Sequence, residues 1–298
     1  MEGGWTVIEI KGLYKQIEDR CILDDVSFTV EEGQVCGLIG PNGTGKTSLM
    51  HCISGIWTPE AGEITVCGDP VKPRHGTPEA LGYLMEETAF PAGWRLKDAV
   101  RFFDGIYGGY DTDRVYAMAE EMDIGPADRL DTASRGQRRR IDLILRLASG
   151  PRVLLLDEPL AGMDPDARRN AMKMMLSEVA ASGMTVLVSS HVLTEVERMC
   201  DRVVMFHRGR VLADRDLEEA RAQMRILQAC FDEVLPEDVL QWPGVCDIRT
   251  VGRVLYLTVD GDKSEIKDLL VKSGALFVEE LGMDLDEMFL QWQRGEEE

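Results

Sequence analysis

Apolar residues along this chain come in short strand-like runs that alternate with helically spaced segments. Strand-type runs stand at 6–10 (TVIEI), 26–30 (VSFTV), 35–39 (VCGLI), 63–66 (EITV) and 82–84 (GYL), with a helix predicted from about residue 45. From 96 to 148 the spacing is mostly helical, with turns near Gly108-Gly109 and Gly125-Pro126. The alternation then resumes: strand 153–157 (VLLLD), helix 165–181, strand 185–190 (TVLVSS), helix 192–199, then strands 202–206 and 210–213. Strands alternating with helices predict an α/β protein with a mostly parallel sheet. The helical block between 87 and 150 reads as an inserted subdomain.

Beyond about residue 222 the rhythm changes. RILQACF reads as a strand, RTVGRVLYLTVDG as a hairpin, KSEIKDLLVKSG as a helix, ALFVEEL as a strand and DLDEMFLQWQ as a closing helix. The expected division is a larger domain over 1–222 and a small α+β domain over 223–298.

Charge narrows the function classes. The 298 residues carry 33 Lys+Arg against 53 Asp+Glu, a formal net charge of −20. Non-specific nucleic-acid binding needs a cationic surface that releases counterions, so no nucleic-acid partner is expected. The acidic end, Glu296-Glu297-Glu298, reads as a solvating tail. Seven cysteines at 21, 36, 52, 67, 200, 230 and 246 form no CxxC pair, which argues against a zinc site or a disulfide framework. The start, MEGGWTVIEIKG, has neither a basic nor an apolar leader region, and no apolar run approaches the roughly 20 residues of a membrane span. A cytoplasmic location is expected.

Against this acidic background the stretch ASRGQRRR (133–140) is odd, since cations at a helix start oppose the macrodipole. An RNA-binding segment, a solvated face and an anion site are the candidates. A second motif bears on the choice. Residues 40–48, GPNGTGKTS, fit G-x-x-x-x-G-K-[ST] between an apolar strand and a helix. In that setting glycines let backbone amides curl around phosphate oxygens, and a helix N-terminus favours the negative charge. Lys46 is placed to reach β and γ phosphates, and the Thr47 hydroxyl to ligate Mg²⁺. VLLLDEP (153–159) is a buried strand tipped with acids; beside a phosphate loop, Asp157 reads as metal-orienting and Glu158 as a base that activates water. His191, after LVSS, reads equally as a turn residue or a functional one.

Taken in order, GPNGTGKT, GYL, S-x-G-Q before a helix, VLLLDEP, LAGMD and SSH resemble the ATP-binding subunits of ABC transporters, over about residues 1–222. The chain is most similar to bacterial subunits that serve ABC-2-type exporters, in which Glu often stands in the Q-loop and the C-terminal extension ends in a helix like LDEMFLQW. The resemblance implies a P-loop NTPase fold with an antiparallel N-terminal β part. It implies that Gly40, Pro41, Asn42, Gly43, Thr44, Gly45, Lys46, Thr47 and Ser48 hold the phosphates of ATP. Thr47, Asp157 and Glu86 would hold Mg²⁺, Glu158 would be the general base, and His191 the switch residue at the γ-phosphate. Ala161 to Asp164 would form the D-loop at a dimer seam. Ser134, Gly136 and Gln137 would be the signature motif, acting on the ATP of a second subunit. The basic turn then becomes an anion site, with Arg139 still read as part of an exposed charged face.

Three departures from the family pattern follow. Ala133 and Arg135 stand where the family usually has Leu and Gly. Glu86 stands at the Q-loop position. Ile17 falls where an aromatic ring usually stacks on adenine, with Tyr14 out of register. Seven aromatics lie between 83 and 110; of these, Phe90 and Trp94 are read either as subdomain core or as lining a groove for a membrane subunit. The implied protein is an ATPase that works as a homodimer or heterodimer with a separate permease, at the inner face of the membrane. The rival reading is a soluble ABC ATPase that clamps a non-membrane partner.

Overall fold

The computed structural model describes residues 5–72, 80–87, 89–107, 110–232 and 239–294. The turn read at Gly108-Gly109 and the tail Glu296–Glu298 lie outside the described residues. The chain divides into two compact units, Met1–Asp214 and Arg215–Glu298.

The first unit begins with two long antiparallel strands, β1 (Thr6–Ile17) and β2 (Arg20–Glu31), and then β3 (Val35–Ile39). Helix α1 (Lys46–Ile53) follows, then β4 (Ala61–Val66), the short β5 (Asp69–Pro70) and β6 (Leu81–Leu84). Three helices come next: α2 (Leu96–Tyr107), α3 (Thr112–Glu121) and α4 (Arg135–Ala148). The remainder runs β7 (Val153–Asp157), α5 (Pro165–Ser182), β8 (Thr185–Ser190), α6 (Leu193–Met199), β9 (Arg202–His207) and β10 (Arg210–Asp216). These strands form two sheets, β2-β1-β4-β5 and β10-β9-β3-β8-β7-β6. In the larger sheet β9, β3, β8, β7 and β6 run parallel.

Patterning explains the difference between the sheets. Every residue of β3, β7 and β8 is buried, as in parallel strands covered on both faces. The β1 and β2 strands mix buried and exposed positions, as antiparallel strands with one wet face do. One core cluster joins Ile8, Ile10 and Leu13 of β1 to Leu23 and Val26 of β2, Leu49 and Ile53 of α1, and Phe206 of β9. Helix α6 lies so close to β3 that a Cβ on Gly37 would fall 2.6 Å from Val196 Cγ1.

The helices start where side chains can cap them. Asp164 accepts from the amides of Asp166 and Ala167 ahead of Pro165 at the head of α5, and Gly183 closes that helix with φ 69°. Ser134 and Gln137 form a capping box at α4.

The second unit contains α7 (Leu217–Gln223), β11 (Met224–Cys230), a 3₁₀ turn (Val239–Gln241), β12 (Val245–Val251), β13 (Val254–Asp260), α8 (Lys263–Lys272), β14 (Phe277–Leu281) and α9 (Leu285–Arg294). Its sheet, β12-β13-β11-β14, is antiparallel throughout. On one face Leu227, Ala229, Leu255, Leu257 and Val259 pack with Ile266 and Leu270 of α8. A second cluster joins Ala220 of α7 to Met224, Met283 and Met288. Helix α7 is not predicted from the residue pattern. Its seven residues form because the Asp216 carboxylate accepts from the amides of Glu218 and Glu219.

Candidate functional site

The residues from Gly40 to Gly45 turn the chain from β3 into α1. Gly40 has φ 152°, and a Cβ there would lie 2.3 Å from the Phe206 carbonyl oxygen; Gly45 has φ 108° with its virtual Cβ 2.9 Å from the Ile22 carbonyl. Neither position accepts a side chain, so the loop stays bare and tightly curled. Helix α1 has no side-chain cap and no acid in its first turn. Its N-terminal amides and positive dipole end are therefore left open to an anion.

Lys46 opens that helix, and its side chain folds back over the loop. Nζ donates to the Gly40 carbonyl at 2.6 Å and to the Pro41 carbonyl at 3.1 Å. Burial lowers its pKa, and the carboxylates of Glu158, Asp157 and Glu86 oppose that shift. Thr44 Oγ1 donates to the same Pro41 carbonyl at 2.9 Å.

Across the cleft, β7 ends in Asp157. Its Oδ1 accepts from Ser189 Oγ at 2.5 Å. Its Oδ2 is buried and has no hydrogen-bond partner among the described residues. A buried acceptor left open in a cleft that Thr47 also lines suits a hard divalent cation arriving with phosphate. Ser189 does a second job: Glu158 N donates to its Oγ at 3.0 Å and to its carbonyl at 3.2 Å. Sequence reading passed over this serine.

Glu158 has φ 49°, a left-handed backbone conformation that a non-glycine residue adopts at a cost of about 1–3 kcal/mol. Its Oε1 lies 2.8 Å from His191 Nδ1, a contact made by donation from an Nδ1–H tautomer. The Glu158 side chain is 14% exposed and that of His191 is 49% exposed. A single cleft of about 620 Å³ is lined by Asn42, Gly43, Gly45, Lys46, Thr47, Ser48, Glu86, Asp157, Glu158 and His191, together with Ile22, Arg135 and Ala161. The structure thus brings together the phosphate loop, all three residues expected at the metal, the expected base and the expected switch histidine.

Of the Ser134–Gln137 turn, Arg135 lines the cleft. Ser134 Oγ accepts from Gln137 N at 3.2 Å, and Gln137 Oε1 accepts from Ser134 N at 2.9 Å. Both residues are exposed, and neither they nor Gly136 line the cleft of their own chain. Gly136 is buried against the D-loop: a Cβ there would lie 2.5 Å from the Gly162 carbonyl oxygen. Arg135 reaches towards Glu86, with Nη2 3.8 Å from Oε1.

Arg139 corrects the sequence reading. It is not part of an exposed face but is 3% exposed, and its guanidinium donates to the carbonyls of Met85, Glu86, Asp157 and Glu158. The signal was present in the helical spacing: residue 139 shares a stripe with buried Gly136, Leu143 and Leu147. Three arginines in succession point in three directions on a helix. Arg140, its neighbour, donates instead to the Met122 carbonyl at the end of α3 (3.2 Å).

Ile17 is 38% exposed and does not line the cleft, whereas Ile22 does. Of the aromatic residues, Phe103 and Tyr110 are core, and the Tyr110 hydroxyl donates to the Leu145 carbonyl at 2.6 Å. Phe90 and Trp94 are half-buried, and Trp94 packs edge-on to the exposed Phe102 at 5.3 Å.

The chain matches the ABC transporter family model over residues 23–161. It is 32% identical over 221 residues to the uncharacterised ABC transporter ATP-binding protein YhcH of Bacillus subtilis (strain 168), covering 72% of this chain and 71% of that one. It is 32% identical over 215 residues to Nod factor export ATP-binding protein I of Burkholderia lata, 70% of each chain. Among solved structures, an ATP-binding subunit of an ABC transporter superposes with a TM-score of 0.67 at 27% identity, over 73% of this chain and 92% of that one. The cbiO1 protein of Clostridium perfringens, part of the cbiONQ ABC transporter complex, superposes with a TM-score of 0.62 at 25% identity, over 74% and 92%. The sheet arrangement is that of these folds, as the motif order implies.

Proposed function

This chain belongs to the family of ABC transporter ATP-binding proteins, and we propose that it hydrolyses ATP in the cleft between the phosphate loop and Glu158. The observation that carries this reading is the Glu158–His191 contact, 2.8 Å, in the same cleft as Lys46 and the unpartnered Asp157 Oδ2.

In this reading the bare loop Gly40–Ser48 and the N-terminus of α1 bind the phosphates, and Lys46 offsets their charge. Thr47, Asp157 and Glu86 would hold the magnesium that enters with the nucleotide, where it neutralises charge that builds on the transferred phosphoryl group. Glu158 takes the proton of the attacking water, and such a base contributes about 10²–10⁴-fold to the rate. His191 holds the Glu158 carboxylate in place and presents its ring to the γ-phosphate side. The turn Ser134-Arg135-Gly136-Gln137 serves the nucleotide of a second ATPase subunit, so two chains close over two ATP molecules.

Closure would drive a separate permease in the membrane, with this chain at the cytoplasmic face. One relative, Nod factor export protein I, carries export in its name. Among the described residues no helix is long and apolar enough to cross a membrane. The segment beyond residue 222 is assigned an accessory or dimer-contact role.

The test is Glu158→Gln in the full chain. ATP binding is expected to persist, turnover to fall by about 10²–10⁴-fold, and an ATP-stabilised dimer to accumulate on gel filtration. Wild-type turnover in that variant would remove Glu158 from the mechanism.

A further inference from the structure

We propose that Arg139 is a positioning residue for this hydrolysis, holding the backbone that carries Glu158 and tying it to the loop that carries Glu86. The inference rests on the reading of Glu158 as the base.

The geometry is a two-sided clamp. Arg139 Nη1 donates to the carbonyls of Met85 and Glu86, the latter at 2.8 Å. Nη2 donates to the carbonyls of Asp157 and Glu158, the latter at 2.9 Å. A guanidinium can do this because its donors fan out in a plane; an ammonium concentrates its donors at one point and cannot span two pairs of carbonyls. Burial pushes the pKa of Arg139 down, while Asp142, Asp157 and Glu86 support the charged form.

The clamp acts where the backbone most needs holding. Glu158 sits at φ 49°, and such a conformation persists only when its surroundings over-determine it. Ser189 binds the Glu158 amide, and Arg139 binds the Glu158 carbonyl. Both ends of the residue are fixed, which aims its carboxylate at His191. Arg139 also belongs to α4, the helix capped by Ser134 and pressed onto Gly162 through Gly136. One short helical segment therefore touches the Ser134 turn, the D-loop, the Glu86 loop and the peptide of the base. A displacement of that turn is passed to Glu158 without passing through the nucleotide.

A buried arginine that only fills the core predicts something different: its loss lowers stability, nucleotide affinity and turnover together. The experiment uses the full chain with Arg139→Ala and Arg139→Lys, alongside Glu158→Gln. Melting temperature, equilibrium binding of a fluorescent ATP analogue with magnesium, kcat and KM are measured. For Arg139→Ala, nucleotide affinity is expected to stay near wild type while kcat falls by about 100-fold, the effect of a base displaced by roughly 1 Å. Arg139→Lys is expected to recover only part of the loss. Added guanidinium ion at low millimolar concentration should restore kcat in Arg139→Ala, and equal sodium chloride should not.

Unchanged kcat in a folded variant overturns the proposal, as does a parallel fall of kcat and affinity without guanidinium rescue. If Arg139→Ala does not fold, Arg139→Lys decides: lowered kcat at unchanged affinity supports the clamp, and any other result overturns it. A silent Glu158→Gln beside an active Arg139→Ala removes Arg139 alone. An active Glu158→Gln removes the base, and this proposal with it.

Discussion

Gly136 at the head of α4 lies against the carbonyl of Gly162 so closely that an added Cβ would fall 2.5 Å from the oxygen. The small residue is therefore required within the chain itself, whatever else approaches the turn. Gly136→Ala must push the D-loop aside, at a cost of about 1–3 kcal/mol. A lowered melting temperature of the isolated chain, with no nucleotide or partner present, is the expected result. An unchanged melting temperature would mean that the loop yields freely.

Ser189 is expected to matter for metal binding although it does not line the cleft. Ser189→Ala removes the donor to Asp157 Oδ1 and one acceptor of the Glu158 amide. Leaving a buried carboxylate oxygen without its donor costs about 1–3 kcal/mol. Stability should drop, and the magnesium concentration for half-maximal ATPase should shift. A variant indistinguishable from wild type in both measurements would assign the serine to neither role.

Base selectivity should be weak. Ile17 offers no ring, and Tyr14 faces Cys21, whose hydrogen bond holds the phenol pKa up. A missing aromatic stack removes about 1 kcal/mol. Affinities for ATP and GTP should therefore lie close together. A strong preference for ATP would require another ring at the adenine.

The two-chain reading of the Ser134 turn can be separated from a one-chain reading by mixing variants. Lys46→Ala and Ser134→Arg homodimers are each expected to be inactive, since both composite sites carry a lesion. A heterodimer gathers both lesions in one site and leaves the other whole. Mixing should restore ATP-dependent dimerisation and part of the hydrolysis. No recovery in a mixture shown to exchange subunits would place the turn's action within its own chain.

What the sequence made legible was what is local. The runs VCGLI, VLLLD and TVLVSS became the central strands because unbroken apolar residues suit strands covered on both faces. The phosphate loop was legible because its glycines, Lys46 and Thr47 are contiguous. Ser189 was not, because its role depends on the parallel register that sets it beside Asp157, 32 residues earlier. Arg139 was hidden by its neighbours: a run of arginines suggests surface, and only helical spacing separates the buried member. Helix α7 escaped because its seven residues offer only Leu217 and Ala220 as buried positions and rely on the Asp216 cap.

Lys46 spends donors within its own loop. Lys46 Nζ donates to the carbonyls of Gly40 and Pro41, whereas the Ser134 hydroxyl oxygen only accepts, from the Gln137 amide. Wherever a phosphate takes up Lys46 as sole partner, it exchanges one hydrogen bond for another. An exchange is worth far less than a new bond in a dry site, because the net gain of a typical bond is about 0.5–1.5 kcal/mol. The carbonyls of Gly40 and Pro41 would thus compete with a nucleotide for Lys46. Under the proposed function this exchange would lower the affinity of each nucleotide encounter and speed each release.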